Sequence, residues 1–215
     1  MESINSGVCC DPIIFFIYMC WNAEVSLNTF LFSLVGVLLA YFTKVINFVK
    51  SLFFLSFISM QLLEYFTWNN LNDKVINAFL SKIGLFLIII QIPLFILSQH
   101  AIKKELKISL IIVYLGLSIS ALYYYPINFS MTKAPNGHLA WNWLQFPTYI
   151  VFLWFSFALG LILYQKKYIT FITYLLIFFA IYYTYYETNT WGSLWCWISN
   201  ALSLKLIFQS ICRTI

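Results

Sequence analysis

Apolar side chains fall into seven long runs along this chain, separated by short polar connections. The runs are Val25–Phe42, Ser51–Trp68, Ala78–Ser98, Leu106–Tyr125, Phe146–Tyr164, Tyr168–Tyr186 and Trp191–Ile211, each of 18 to 21 residues. A helix rises about 1.5 Å per residue, so roughly 20 residues cover a hydrocarbon core ~30 Å thick. The pattern predicts an all-α fold: a bundle of seven transmembrane helices. Residues 25–215 then form a single transmembrane domain, with 1–24 as an outer N-terminal segment. Within that segment Pro12–Trp21 is apolar but too short to span, and it suits an interfacial position with Trp21 at headgroup level.

The positive charges sort to one side of these runs. Counting the connections alternately outside and inside puts Lys44, Lys50, Lys103, Lys104, Lys107, Lys166, Lys167, Lys205 and Arg213 at the inner face. Only Lys74, Lys82 and Lys133 fall towards the outer one. Lysine and arginine accumulate in cytoplasmic connections, so the bias predicts an outside N-terminus and a cytoplasmic C-terminus, as an odd number of spans requires.

Composition agrees with that architecture. The chain is 62% hydrophobic and 9% charged, with mean hydropathy +0.86, which leaves too little polar surface for an ordinary soluble domain. The net charge of +5 is spread over the inner connections, where it meets anionic lipid heads, and does not form a nucleic-acid surface. The expected partners are the lipid bilayer, a small ligand or ion, and a second copy of the chain, in a plasma or internal host membrane. Residues 1–24 lack a basic n-region and carry Glu2 and Asp11, so the first span is expected to act as its own uncleaved insertion signal.

The five cysteines have no zinc-ligand spacing. Cys9, Cys10, Cys20 and Cys196 fall at or near the outer face. Two readings stand: a Cys20–Cys196 disulfide if that face is oxidising, or buried thiols packing as small apolar groups. Cys212 is expected to be free on the inside. Asn128-Phe129-Ser130 matches a glycosylation acceptor in an outer connection.

Polar side chains within a span should face other helices, so their spacing marks the interior. On the first run Asn22, Ser26, Thr29 and Ser33 recur at i, i+4, i+7 and i+11, one stripe that suits either close helix packing or a solute path. On the second, Gln61, Glu64 and Trp68 share a face whose next turn is the apolar Phe57, which confines its polar part to the outer half. Glu64 lies about 20 Å from the inner end at ~1.5 Å per residue. A carboxylate at that depth is either a functional group or a protonated acid bonded to its neighbours. On the third run Gln91 precedes Pro93, whose ring frees the Ile89 carbonyl and predicts a kink.

Aromatic side chains crowd the outer half. All tryptophans except Trp154 fall there, joined by Tyr123–Tyr125 and Tyr182–Tyr186. A simple interfacial belt would occupy both faces, so the excess predicts a vestibule or a lid. The lid candidate is the longest connection, Pro126–Gln145, where Pro135-Asn136-Gly137 reads as a turn followed by His138, Trp141 and Trp143. His100, at the inner end of the third run, is too far from His138 to share a metal with it.

The seventh run carries Lys205. Cys196, Asn200, Ser203 and Ser210 form one of its faces and Ile198, Ala201, Lys205 and Gln209 another, with Asn200 and Lys205 about 140° apart. With the serine face inward, Lys205 snorkels to the inner headgroups. With Lys205 inward, Trp191 and Trp195 could wall a pocket beside it. A lysine there resembles the microbial rhodopsins, in which it holds retinal as a Schiff base, and Ile90–Leu97 resembles their proline-containing third helix. Ala201 and Leu87 stand where that family carries acids, so Glu64 would have to serve as counterion.

Further pieces resemble an uncharacterised family of multi-pass proteins of bacteria, protists and large DNA viruses. They are Cys20-Trp21, Met60-Gln61-Leu62-Leu63-Glu64, Asn77 with Gln91 and Pro93, Gly137-His138-Leu139-Ala140-Trp141, Pro147 and Trp195-Cys196. That family has a histidine within the third helix and an adjacent Gln-Pro pair, neither of which this chain has. The resemblance implies topology and positions to inspect, and no mechanism. A Phe-, Ile-, Tyr- and Asn-rich composition also suits an AT-rich genome such as that of a large virus.

Two functions emerge. One is a transporter, channel or receptor that handles a small ligand or ion in an outer-half pocket built from Asn22, Ser26, Gln61, Glu64, Gln91, His138, Trp141, Trp195 and Asn200. The other is a retinal photoreceptor or pump using Lys205. No nucleophile–base pair or metal cluster points to an enzyme.

Overall fold

The structure is a computed structural model and describes residues 22–192 and 195–214. At 195–197 it describes only the backbone. Seven α-helices follow one another among these residues: α1 (Ala23–Phe42), α2 (Phe48–Asn69), α3 (Lys74–Ser98), α4 (Lys104–Tyr124), α5 (Thr148–Tyr164), α6 (Tyr168–Tyr185) and α7 (Trp195–Thr214). Five of them, α1 to α4 and α6, are long and apolar enough to cross a membrane, which is compatible with an integral membrane protein. The helix α5 has 17 residues, because Phe146 and Pro147 belong to the connection before it. The helix α7 is the least apolar of the seven, since it carries a serine face.

Local chemistry sets several boundaries. Asn22 begins α1 by accepting the Val25 amide at 2.9 Å, Asn47 begins α2 by accepting that of Lys50 at 2.8 Å, and Asp73 caps α3 on Val75 and Ile76. Pro93 lies inside α3, which runs on past it to Ser98.

The helix α2 is central, flanked by α1 and α3, while α7 packs chiefly on α1 and also meets α2. Small residues let α1 and α7 approach. Ser33 and Ser199 share a hydrogen bond of 3.0 Å, and a Cβ at Gly36 would stand 3.1 Å from the Ser203 carbonyl. The polar stripe of α1 is thus mainly a packing seam. Beyond α3, the helices α4 and α5 lead to α6 through an aromatic contact, with the Phe155 and Phe178 rings 4.0 Å apart.

Short connections make sequential helices antiparallel, so the bundle has two unlike ends. At one end Asn47 bonds His100 at 2.7 Å, Gln165 donates to Gln99 at 2.8 Å, Lys107 caps the Leu97 carbonyl at 3.1 Å and Arg213 donates to the Lys44 carbonyl. This is the lysine end. At the other end the connection between α4 and α5 forms an antiparallel hairpin, β1 (Met131–Lys133) with β2 (Leu139–Trp141), which pairs Met131 with Trp141 and Lys133 with Leu139. Its turn closes through Gly137, whose amide donates to the Ala134 carbonyl at 2.9 Å and whose φ of 85° suits a residue without Cβ. The expected lid is therefore an inserted plug. Met131, Leu139, Trp141, Trp143, Leu144 and Phe146 are all buried.

The outward faces are apolar. On α4 Ile108, Ile112, Val113 and Ile119 are exposed, and on α6 Ile169, Ile172, Leu176 and Phe179. Water would oppose such surfaces; lipid tails would not.

Candidate functional site

The hairpin brings two distant stretches of sequence onto the polar face of α2. Trp141 and Trp143 stack with ring centroids 5.2 Å apart and planes 13° from parallel. Two glycines make room for them. A Cβ at Gly84 of α3 would stand 2.7 Å from the Trp143 ring and 2.8 Å from Leu63, and one at Gly192 would collide with the Trp141 ring. Asn77 of α3 pins the strand beside them. Its amide oxygen accepts the Met131 N–H at 2.7 Å and its amide nitrogen donates to the Met131 carbonyl at 2.9 Å, so one buried side chain stands in for a neighbouring strand.

Beneath this pair lies Glu64, whose residue exposure is 0%. The Ser26 hydroxyl of α1, which itself donates to the Asn22 carbonyl at 3.2 Å, and the Trp141 indole of β2 lie near its carboxyl. Both are neutral groups, so neither cancels a charge on the carboxyl. Gln61, one turn away on the same face, is also fully buried. Three elements far apart in sequence thus meet at one carboxyl. The arrangement can hold a proton or a small cation where water is excluded.

The sequence-predicted residues do not all join this centre. Ser26, Glu64 and Trp141 meet, and Gln61 lies on their face. Asn22 is exposed, and its side chain caps α1 by accepting the Val25 amide. Gln91 lies apart as well, donating to the Ser56 carbonyl at 3.3 Å, two turns before Glu64 on α2. His138 is buried in the hairpin, edge-on to the Tyr185 ring at 6.1 Å, so it is a packed residue of the plug and not a mobile loop histidine. Asn200 is buried on α7 next to Ser199. The side chains of Trp195 and Cys196 lie outside the described residues, as do Cys9, Cys10 and Cys20 and with them the disulfide alternative; Cys212 is free and exposed.

Lys205 is settled by the rotation of α7. Ser199, Ser203, Leu206 and Ser210 are buried, and Lys205 is exposed on the opposite side, with Lys50 as an electrostatic neighbour at the lysine end. A Schiff base on Lys205 requires an enclosed nitrogen, and this one is open. The exposed position of Lys205 suits headgroup contact.

Sequence reasoning missed three working parts: the clamp made by Asn77, and the two glycines that seat the tryptophans. Gly84 and Gly192 are isolated glycines within long apolar runs, which can signal a close approach. Among the described residues no group of three or more histidine, cysteine or acidic side chains could hold a metal. Comparison with family models, curated proteins and solved structures found no match.

Proposed function

We propose that the chain is a seven-helix integral membrane protein, N-terminus outside and C-terminus cytoplasmic, that handles a proton or small cation through Glu64 in its outer half. The observation that carries this reading is a fully buried carboxyl beside the Ser26 hydroxyl and the Trp141 indole, directly beneath an inserted hairpin. Isolating an ionised carboxylate from water is costly, so loss or gain of a positive charge at Glu64 changes the stability of everything packed on it. The two stacked tryptophans close the outer approach, and movement of the hairpin opens it. The lysine bias supports the orientation, and the apolar outer faces of α4 and α6 support a lipid environment. The resemblance to the uncharacterised multi-pass family rests partly on Glu64 and Trp141 and belongs to the same reading.

Proteoliposomes provide the test. Purified protein should carry proton, sodium or potassium flux above that of empty vesicles, and Glu64→Gln, which keeps shape but cannot ionise, should remove it. Wild-type flux in Glu64→Gln would take this carboxyl out of the mechanism.

A further inference from the structure

Beside the plug, at the same end of the molecule, the chain forms an open cleft of about 460 Å³. Its walls come from both ends of the long connection, including Tyr125 and Phe146, and from the α6–α7 turn, with Tyr186, Glu187 and Asn189. The volume falls in the range of about 300–1,000 Å³ usual for small-ligand sites. Two accessible aromatic rings, Tyr125 and Tyr186, and one carboxylate line it, with Phe146 buried behind them against Trp154, and no lysine or arginine is among the described lining residues.

The walls are held in place. Pro126 and Pro147 fix the backbone where the connection enters and leaves. The Tyr125 and Tyr149 hydroxyls bond each other, and the Tyr186 ring packs on Tyr182 at 4.8 Å. The turn that carries Glu187 is tied to the hairpin, because Asn136 donates to Thr190 at 2.8 Å and Thr188 bonds Thr190 at 2.7 Å. The Asn189 carbonyl accepts the Trp141 amide at 3.0 Å, which joins the cleft wall directly to the plug.

The geometry points to a recognition site for an organic monocation of the quaternary or tertiary ammonium class. Aromatic faces attract weakly hydrated cations through the ring quadrupole, and Glu187 supplies the single balancing charge. Glu187 is the one charged oxygen donor among the described lining residues, which suits a weakly hydrated monocation better than a compact divalent ion. The inference rests on the reading of the hairpin end as the ligand-facing end, and it names a ligand class recognised there separately from the ion handled at Glu64.

Calorimetric titration of the full chain in maltoside micelles tests it with choline and its uncharged isostere 3,3-dimethylbutan-1-ol. Choline should bind saturably and the alcohol should not. Glu187→Gln and Tyr186→Leu, both at exposed positions, should each weaken choline roughly three- to tenfold. Choline binding without ion flux in proteoliposomes would sink the Glu64 mechanism alone, and flux without choline binding would sink this site alone, so the two failures give different results. In phosphatidylcholine nanodiscs, loss of the choline titration would identify a lipid headgroup as the occupant, and its persistence a free cation. Equal binding of choline and the alcohol, no saturable binding, or indifference to both cleft substitutions would overturn the proposal.

Discussion

A single methyl group separates the glycines that seat the tryptophans from those that merely occupy a helix. At Gly84 a Cβ would press on Trp143 and Leu63, and at Gly192 on the Trp141 ring, whereas at Gly116 and Gly160 it would meet nothing within 4 Å. Gly192→Ala should therefore destabilise by ~1–3 kcal/mol, the usual result of overpacking a filled interior. Gly116→Ala and Gly160→Ala, inside α4 and α5, should be neutral or stabilise by up to ~1 kcal/mol through helix propensity. Thermal unfolding in detergent measures all three, and tryptophan fluorescence should shift only in Gly192→Ala. Equal midpoints across the series would mean that Trp141 is loosely seated, and the account of how it meets Glu64 would fail with it. Residue chemistry was partly legible from sequence. Glu64 stood out because it is the only carboxylate deep within a run. Trp141 was named with it as part of an outer-half pocket, but 77 positions separate the two and no local spacing encodes their approach.

Among the elements, the helices were readable and the hairpin was not. Apolar runs of about 20 residues dictate membrane helices, and the structure moves their ends by only a few residues: α2 begins at Phe48, and the fifth and seventh helices start at Thr148 and Trp195, after Phe146 and Trp191. The strands have three residues each, and Leu139, Ala140 and Trp141 are all buried, so no alternation of polar and apolar positions announces them. The rotation of α7 was open between its serine and lysine faces, and packing against Gly36 decides it. The hairpin's attachment depends on one side chain. Asn77→Ala would leave the buried N–H and carbonyl of Met131 without their partners, at ~1–3 kcal/mol for each group. That cost falls on the hairpin more than on the helices. Hydrogen exchange should rise at the Met131 and Trp141 amides in Asn77→Ala while α2 and α3 stay protected. Uniform loss of protection would show instead that the hairpin and the bundle unfold as one unit.

For the molecule as a whole, the two ends differ in charge as sharply as in shape. Glu24, Asp73 and Glu187 sit at the hairpin end, and Glu105 is the acid at the lysine end among the described residues. This sorting follows from chain order, because each helix reverses direction and each short connection therefore alternates ends. Placing those ends in a membrane is a further step, since length and composition qualify five helices as spans and leave α5 and α7 to be assigned by how they pack. Cysteine labelling reads the outcome directly. Cys212 is exposed in the last turn of α7, and Thr132 is exposed on β1. With the other four cysteines changed to serine, an impermeant maleimide on intact cells should label Thr132→Cys at once and Cys212 only after permeabilisation. The reverse pattern would invert the molecule and turn the hairpin, the cleft and Glu64 towards the cytoplasm. Labelling of both from outside would mean that an even number of helices separates them, and α5, α6 and α7 could not all cross. Labelling on opposite faces fixes the parity and puts the buried carboxyl on the side from which its ligand arrives.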